Sequence, residues 1–470
     1  MSELSSVAKK NSSHSKLSSK ENEESDGDSD GVVKESTIRK MTRLAMQHNA
    51  VNLSQGFPNE SPPEQVRLAL AYGVLTGHGI DCKSTTTTPT SDHLRRLLLD
   101  HIQQLSDATA DKNGTDELNQ YSPPMGRMDV RTAIVDHYKR LYNFGGGLSP
   151  EMNVTVTLGA TEAVASALRT LGCPGDKVVI FEPFHELYPS QCQIFHLQPT
   201  FVTLYPTTKS SWEFHEDELE EALSDAKILL LNTPHNPTGK VFTRDELEYI
   251  VNLCLKYKVF IMTDEIYEWM CYSTQNDDGR TDDHHGHLLI PQEFPQAKDI
   301  TFICNSIGKS ASATGWRVGW CIHPSKFCHK YRGIHDQLVV MAPQPMQYAT
   351  LTYFTALPDS YFLEELSTKY YQRMYDLSKI LQELGFDVIF PQGAYYLFVK
   401  YGNVPWLQQF REPMDAAMYL LREVGVACVP GDNFYGKNLE EGRKFLRFAA
   451  CRSLEDLAEA GNRLRKMRTT

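Results

Sequence analysis

Lys309 lies in the stretch 306–317, among small, hydroxylic and glycine residues that leave little side-chain bulk around its amine. An ammonium group that reaches into a cavity loses water, which lowers its pKa and makes the amine a nucleophile. Ser306 lies three residues before it and Arg317 eight residues after it. A hydroxyl and a guanidinium beside a buried lysine suit a phosphate monoester. Pyridoxal phosphate offers an aldehyde for the lysine and a phosphate for the flanks; an ordinary surface loop is the alternative.

A second anion-binding segment is predicted where the β-branched run Val154–Thr157 meets the sequence Leu158-Gly159-Ala160-Thr161-Glu162. A glycine turn between a strand and a helix presents backbone N–H groups at the helix N-terminus. Gly159, Ala160 and Thr161 are therefore candidates for binding phosphate.

Asp264 follows the apolar run 259–263, which predicts a buried strand. A carboxylate at a strand end can hold a proton on a pyridine nitrogen by a charge-assisted hydrogen bond. The cap of a following helix is an equally good interpretation of the residue alone. Tyr267, three residues later, is expected to share a helical face with Asp264. Asn236 lies in 232–239, a stretch that is also a plain turn sequence.

In order and spacing these motifs resemble the fold-type I pyridoxal-phosphate aminotransferases, most closely the kynurenine aminotransferase/glutamine transaminase K branch. The resembling segments run from 51–58 to Arg447-Phe448 and cover nearly everything after the first forty residues. The resemblance implies that Lys309 holds the cofactor and that Asp264 holds the proton on its ring nitrogen. Asn236 and Tyr267 are then the donors to its phenolic oxygen.

The resemblance also implies how the substrate and a second subunit take part. Arg447 is predicted to bind the substrate α-carboxylate, because its planar fork matches a carboxylate in a way that lysine cannot. A structural carboxylate partner for this arginine is the competing interpretation. The backbone of Gly56 and the side chain of Asn236 are expected beside the same group. Tyr121 matches a position that reaches the phosphate of the neighbouring subunit, which implies a homodimer with shared active sites.

Two positions depart from the branch. His185 stands where an aromatic ring, usually phenylalanine, stacks on the pyridine ring of the cofactor; a surface histidine beside a buried Phe184 is the alternative. An imidazole still stacks but introduces a titratable proton. Val340 stands where the branch carries a phenylalanine from the partner subunit. We expect this valine to widen the substrate pocket.

Strands alternate with helices along the chain, which predicts an α/β fold. We expect a large domain with a mostly parallel sheet flanked by helices and a smaller α+β domain, as in aspartate aminotransferase-like proteins. The predicted organisation is a disordered acidic and Ser-rich tail over 1–34, an N-terminal arm with part of the small domain over 35–72, an insertion over 73–118, a large cofactor-binding domain over 119–345 and a C-terminal small domain over 346–470.

The insertion is foreign to the family pattern. It combines a Thr-rich start at 85–88, a helix that Ser91 can cap and a polar exit at 111–114. The apolar residues of that helix recur at helical spacing, namely Leu94, Leu97, Leu98 and Ile102. Such a face is expected to pack on the chain's own surface or on a partner.

Composition excludes several function classes. The net charge of -12 gives no basic surface for nucleic acid or anionic membranes. No apolar run approaches the ~20 residues needed to span a bilayer. The ten cysteines include no close CxxC pair, so we expect reduced thiols in a cytoplasmic protein and no metal site. The acidic tail does not have the composition of a transit peptide.

The sequence therefore predicts an aminotransferase that moves an amino group from a neutral amino acid to a 2-oxo acid by a ping-pong mechanism. Lys309 is expected to transfer the proton between the substrate Cα and the cofactor. A cysteine-conjugate β-lyase would use the same residues. A non-catalytic regulatory or scaffolding protein is a more distant alternative, since it would not need Lys309.

Overall fold

A computed structural model describes residues 35–77, 90–106, 118–144, 147–207, 211–272 and 286–467. The predicted tail over 1–34 lies outside these residues, as do the Thr-rich start (85–88) and the polar exit (111–114) of the insertion. The strands within them are β1 (Val51–Asn52), β2 (Val154–Thr157), β3 (Lys177–Glu182), β4 (Gln198–Thr203), β5 (Tyr205–Pro206), β6 (Trp212–Glu213), β7 (Ile228–Asn232), β8 (Phe260–Asp264), β9 (Thr301–Ser306), β10 (Gly319–Ile322), β11 (Asp387–Val388), β12 (Tyr396–Lys400), β13 (Val426–Ala427), β14 (Val429–Pro430) and β15 (Phe445–Ala449).

The helices of the same residues flank these strands and connect them. They are α1 (Thr37–Gln47), α2 (Glu64–Thr76), α3 (Ser91–Ser106), α4 (Met128–Tyr142), α5 (Gly159–Leu171), α6 (Leu187–Ile194), α7 (Glu216–Leu223), α8 (Arg244–Tyr257), α9 (Ile290–Glu293), α10 (Ile307–Ser310), α11 (Cys328–Val339), α12 (Gln344–Ala356), α13 (Leu366–Glu383), α14 (Pro413–Tyr419), α15 (Leu439–Gly442) and α16 (Leu454–Lys466). None of them is long and apolar enough to cross a membrane.

Seven strands form the large sheet, in the order β2-β10-β9-β8-β7-β3-β4. All neighbours are parallel except β10, which is antiparallel to both β2 and β9. Val179 and Leu229 pack into the apolar cluster on one face, whereas Val178 and Leu230 pack into the cluster on the other. A sheet covered on both faces needs continuous apolar strands, which is what the sequence contains. The predicted α/β fold with a mostly parallel sheet is confirmed.

The carboxyl ends of the central strands meet at one edge of this sheet. Asn232 at the end of β7 pairs with Asp264 at the end of β8, and Asp264 pairs with Cys304 of β9. Ligands of open α/β sheets bind outside this edge.

A second, antiparallel sheet has the order β11-β12-β15-β14 and carries Arg447 in β15. The N-terminal arm reaches the same part of the chain, because β1 pairs in parallel with β13. The Leu53 carbonyl also accepts a hydrogen bond of 2.8 Å from the Ala449 N–H. The arm thereby brings Ser54 and Gly56 towards β15. The exact domain boundaries stay a prediction.

The insertion helix α3 packs on the chain's own surface. Leu94 is fully buried, and Arg95 pairs with Glu64 of α2 at 2.5 Å. The predicted cap at Ser91 is wrong by one residue. Thr90 closes the first turn instead, since its side chain accepts from the His93 N–H and its carbonyl from the Leu94 N–H.

The segment after Asp264 differs from the expectation of a helix. Glu265 to Met270 form successive turns, closed by hydrogen bonds from the Glu268 N–H to the Glu265 carbonyl and from the Met270 N–H to the Tyr267 carbonyl. Both the helix-cap interpretation of Asp264 and its shared helical face with Tyr267 are therefore wrong. The physical reason is that Glu265 and Glu268 turn into the interior, where Glu265 pairs with His287 at 2.5 Å.

Candidate active site

Lys309 lies in α10, the single helical turn that follows β9. Ser306 caps this turn, since its Oγ accepts a hydrogen bond of 3.1 Å from the Gly308 N–H. The Lys309 amine donates to the backbone carbonyl of Gly56 at 2.5 Å. Burial lowers the pKa of Lys309 to about 8, and the positive charges of Arg447 and Arg317 act in the same direction. A neutral, nucleophilic amine is therefore accessible close to neutral pH.

Sheet register brings the predicted phosphate-binding segments together. Gly319 of β10 pairs with Ser306 of β9 on one side and with Thr157 of β2 on the other. A side chain at Gly319 would lie 2.8 Å from the Ala160 backbone nitrogen, so this glycine lets the first turn of α5 sit against β10. Ser306 and the turn at Gly159 thus lie on the same side of the sheet.

Arg317 closes the other side of this turn. Its guanidinium donates to the Leu158 carbonyl at 3.3 Å and reaches Thr161 Oγ1 at 3.5 Å. Gly159 has a φ of +77°, and a Cβ there would overlap the Arg317 guanidinium. Burial lowers the pKa of Arg317, but both Arg317 and Thr161 remain exposed in the single chain. The structure therefore gathers all five residues predicted to bind phosphate, namely Ser306, Gly159, Ala160, Thr161 and Arg317.

Asp264 ends β8 with one carboxylate oxygen bonded and one not. Tyr188 donates to Asp264 Oδ2 at 2.7 Å, whereas Oδ1 is buried and has no hydrogen bond of normal geometry among the described residues. Burial raises the pKa of Asp264 to about 6, against the opposing effects of the Tyr188 hydroxyl and the Ile266 N–H. A carboxylate in this state can accept a proton-bearing nitrogen at its second oxygen.

Arg447 is 1 % exposed, and both of its hydrogen bonds to described residues go to neutral oxygens. It donates to Asn236 Oδ1 at 3.0 Å and to the Ser54 carbonyl at 2.6 Å, while its Nε has no partner in the part of the chain that the structure describes. Its guanidinium lies 4.5 Å from the ring centroid of Tyr396. A buried cation without a paired carboxylate is costly unless a ligand supplies the negative charge.

Three tyrosines line the space between these groups. The Tyr267 and Tyr396 hydroxyls lie 2.8 Å apart, and Tyr395 donates to the Gly56 carbonyl at 3.2 Å. Burial raises the pKa of Tyr267 well above its usual value, so its hydroxyl stays protonated. A side chain at Gly56 would overlap the Tyr396 ring, so this position requires glycine.

Phe184 lies in the core, as the alternative interpretation expected, but His185 is not a surface histidine, and its stacking on a cofactor stays a prediction. Phe184 stacks on Phe201 in the core with ring centroids 5.0 Å apart. The His185 ring packs edge-on against Tyr188, and its Nδ1 is buried without a partner among the described residues. Burial lowers the pKa of His185 to about 3, with smaller contributions from Arg447 and Lys309. The imidazole is therefore neutral at physiological pH.

Tyr121 and Val340 are exposed in the single chain. Tyr121 is 81 % exposed, and Val340 is 48 % exposed at the end of α11, where its φ is +67°. Their segments touch, because Met341 Sδ accepts from the Ser122 N–H at 3.1 Å. Both residues thus lie outside the cluster formed by the other predicted site residues, and their roles towards a second subunit stay predictions.

This arrangement has counterparts among known proteins. The sequence profile of the family described as aminotransferase class I and II matches residues 94–464. The chain belongs to the class I and II aminotransferases. A probable kynurenine–oxoglutarate transaminase of Saccharomyces cerevisiae is 32% identical to this aminotransferase over 372 residues, which cover 75% of this chain and 80% of the yeast protein.

Two further relatives cover nearly the whole aminotransferase. Human kynurenine–oxoglutarate transaminase 1 is 29% identical over 450 residues, 90% of this chain and 94% of the human protein. The crystal structure of an Escherichia coli protein with a methionine aminotransferase function aligns with a TM-score of 0.74 at 25% identity, covering 93% of this chain and 100% of the bacterial one. The predicted fold family and enzyme class are thereby confirmed.

Sequence reasoning missed three residues of the aminotransferase site, namely Tyr188, Tyr395 and Tyr396. Tyr188 lies only three residues after His185, yet nothing local to it indicates that it meets Asp264, which is 76 residues away. Tyr395 and Tyr396 belong to none of the motifs that predicted the site. A signal for Tyr396 was available, since a tyrosine in a buried β-strand needs a hydrogen-bond partner for its hydroxyl.

Proposed function

We propose that this aminotransferase uses pyridoxal phosphate to move an amino group from a neutral amino acid to a 2-oxo acid by a ping-pong mechanism. The observation that carries the proposal is the convergence of Lys309, Asp264 and Arg447. Lys309 has a lowered pKa, Asp264 leaves one buried oxygen without a partner, and Arg447 lacks a paired carboxylate among the described residues. Lys309 can therefore act as a nucleophile, Asp264 can accept a further hydrogen bond, and Arg447 can bind a carboxylate.

The residues of the site fit the cofactor. Asp264 Oδ1 would accept from its ring N–H, and Lys309 would supply the amine for its aldehyde. Ser306, Arg317 and the α5 turn at Gly159–Thr161 would provide donors for its phosphate, and a Cβ at Gly159 would overlap the Arg317 guanidinium. When bound, pyridoxal phosphate supplies an aldehyde and a ring that withdraws electrons from the substrate Cα.

Each residue of the site has a separate role in the proposed reaction. Arg447 binds the substrate α-carboxylate and fixes its orientation. The amine of Lys309, with its lowered pKa, would accept the proton from the substrate Cα and deliver it to the cofactor, and it would carry the proton in the opposite direction in the second half of the reaction. Asn236 uses its side-chain oxygen for Arg447, so its amide nitrogen and the Tyr267 hydroxyl are the proposed donors to the phenolic oxygen of the cofactor. The neutral imidazole of His185 would pack beside the cofactor ring.

Neutral amino donors fit the charges of this site. The positive charges of Arg447 and Arg317 both lower the pKa of Lys309, and His185 is uncharged. With Arg447 assigned to the α-carboxylate and Arg317 to phosphate, neither of these two cations remains for a side-chain carboxylate. Desolvating that carboxylate without a counter-charge would cost on the order of several kcal/mol. The names of the relatives, which include kynurenine and methionine transaminases, agree with this preference.

A panel of amino donors tested with several 2-oxo acids measures this preference directly. We expect kcat/KM for methionine, glutamine or phenylalanine to exceed that for aspartate and glutamate by a hundredfold or more, an order-of-magnitude figure from the uncompensated charge. A preference for aspartate would overturn the substrate assignment and leave the enzyme class intact. Release of pyruvate from a cysteine conjugate, in the same assay, would measure β-lyase activity.

A homodimer with shared sites is part of the same proposal. The phosphate-binding side is open in the single chain, where Thr161, Arg317 and the 81 % exposed Tyr121 reach solvent. Leu338 and Val340 add exposed apolar surface beside Tyr121. Mixing Tyr121→Phe and Lys309→Ala subunits tests sharing, because a heterodimer regains one site with both native residues. Activity no higher than the sum of the impaired parents would contradict it.

We also propose a cytoplasmic location. Nine cysteines lie in the described residues, all as free thiols and eight of them buried. Free thiols are typical of reducing compartments. Fractionation of cells that express the tagged protein would check this.

A further inference from the structure

His335 of α11 is a fully buried histidine whose two ring nitrogens both face oxygen atoms. Its Nε2 lies 2.7 Å from the Pro124 carbonyl oxygen, and its Nδ1 lies 3.1 Å from Glu162 Oε2. The three residues come from segments that are distant in the sequence. Neither His335 nor Glu162 contributes to the chemistry described above.

These contacts determine the charge of the pair. The Pro124 carbonyl can only accept a hydrogen bond. Both carboxylate oxygens of Glu162 already accept one, Oε2 from the Leu158 N–H at 3.1 Å and Oε1 from the Ser166 hydroxyl. Nε2 of His335 therefore carries a proton and donates to Pro124, and with Nδ1 protonated as well His335 is an imidazolium paired with the Glu162 carboxylate. Burial alone would lower the pKa of His335, but the hydrogen bond and charge of Glu162 raise it above its usual value.

The ion pair lies directly behind the proposed phosphate site. Glu162 holds the N–H of Leu158, and Arg317 holds the carbonyl of the same residue at 3.3 Å. Both backbone groups of Leu158 are thus fixed where α5 begins. Through Pro124 the imidazolium also holds the segment that carries Tyr121, the residue proposed to reach the partner's phosphate. One cation connects two phosphate-facing segments that are more than thirty residues apart in the sequence.

We propose that His335 is a positioning residue for the cofactor phosphate, acting through Glu162 on the Leu158–Thr161 turn and through Pro124 on the Tyr121 segment. This inference rests on the proposed use of pyridoxal phosphate. Loss of the imidazolium should leave Glu162 without its buried counter-charge. The Glu162 carboxylate, and the Leu158 N–H that is hydrogen bonded to it, should then change position. Binding of the phosphate group should weaken, while contacts to the cofactor ring should not change.

Two ligands separate this role from a merely structural one. Full-length protein freed of cofactor is titrated with pyridoxamine phosphate and with pyridoxamine, neither of which needs the Lys309 amine. We expect His335→Gln to weaken binding of pyridoxamine phosphate by about tenfold, the loss of one charge-assisted hydrogen bond, and to change pyridoxamine binding by less than about twofold. Glu162→Gln should give the same selective loss and serves if His335→Gln is poorly folded.

His137→Gln is the matched control. His137 is 1 % exposed and packs among aromatic rings, its Nδ1 lies 3.5 Å from an Arg140 nitrogen and faces no carboxylate, and burial lowers its pKa to about 3. This variant should lose stability and keep the full preference for the phosphorylated ligand. An unchanged preference in both His335→Gln and Glu162→Gln, or an equal loss for both ligands, would overturn the inference. If the wild-type protein itself did not prefer pyridoxamine phosphate, the proposed cofactor would be wrong, a separate and recognisable result.

Discussion

Asp264 and Glu182 are two buried carboxylates at the ends of strands in the same sheet, yet their surroundings differ. Glu182 ends β3 and accepts four hydrogen bonds, from the Thr203 hydroxyl and from the N–H groups of 436, 437 and 438. Asp264 ends β8, and the one hydrogen bond of normal geometry that its carboxylate receives from the described residues comes from Tyr188. Both side chains are buried, Glu182 at 0 % exposure and Asp264 at 6 %, so burial does not distinguish them. What distinguishes Asp264 from Glu182 is its Oδ1 atom, which has no hydrogen-bond partner among the described residues.

The same contrast holds for cations. Buried Lys240 pairs with both oxygens of Glu246, at 2.7 and 3.0 Å, whereas Lys309 donates to a neutral carbonyl. Buried Arg373 pairs with Glu60, whereas Arg447 donates to neutral oxygens. We infer that buried charges with a protein counter-charge, or with a hydrogen bond to each charged oxygen, stabilise this fold, and that those without either are reserved for ligands. Each pair of residues gives a test.

The lysine pair should show the largest difference. Lys309→Ala removes the proposed tether and proton carrier, and we expect kcat to fall by a factor of about 100 to 10,000 for the acid–base part alone. Lys240→Ala should lower the melting temperature and leave kcat per folded molecule within a few-fold. Single-turnover kinetics and calorimetry on both variants measure this. Turnover of Lys309→Ala near the wild-type value would remove the basis for the assignment.

The carboxylate pair comes next. Asp264→Asn removes the charge that holds the proton on the cofactor ring, and we expect kcat/KM to fall on the order of a hundredfold or more, with little change in melting temperature. Glu182→Gln places an amide against three backbone N–H groups and should cost about 1 to 3 kcal/mol in the free energy of unfolding. Its activity per folded molecule should change little. The reverse result, with Glu182→Gln inactive but stable, would break the comparison.

The arginine pair should show a smaller effect. Arg447→Lys keeps the charge but loses the fork, so we expect kcat/KM to fall roughly 30- to 160-fold, the equivalent of about 2 to 3 kcal/mol. Arg373→Lys keeps a cation beside Glu60 and should leave kcat/KM unchanged. Steady-state kinetics with methionine as donor checks both. Equal losses in the two variants would mean that Arg447 is structural.

The smallest expected effect is on pH dependence. Because the pKa of Lys309 is lowered to about 8, the neutral amine fraction grows about tenfold per pH unit below 8 and levels off above it. We expect the rate at which cofactor-free protein captures pyridoxal phosphate to follow this curve, when followed by absorbance above 400 nm. A rate that kept rising to pH 10, as for an exposed lysine, would contradict the lowered pKa.

How far the sequence predicted this molecule depends on the range of the interactions involved. The glycine turn at Gly159 and the apolar strands are local patterns, and both are confirmed as structural elements. Glu182 could not be separated from Asp264, because its backbone donors lie 254 to 256 residues away in the chain. The turns after Asp264 were missed for the same reason, because the buried Glu265 pairs with His287, which lies in a distant segment of the sequence.

The most direct test of the account is to identify which lysine holds the cofactor. Full-length protein loaded with pyridoxal phosphate is reduced with borohydride, which fixes the cofactor to its lysine, and is then digested for mass spectrometry. We predict a single modified peptide that carries the label on Lys309. The Asp264→Asn variant should be labelled at the same residue. A label on Lys240 or spread over surface lysines, with Lys309 unmodified, would contradict it.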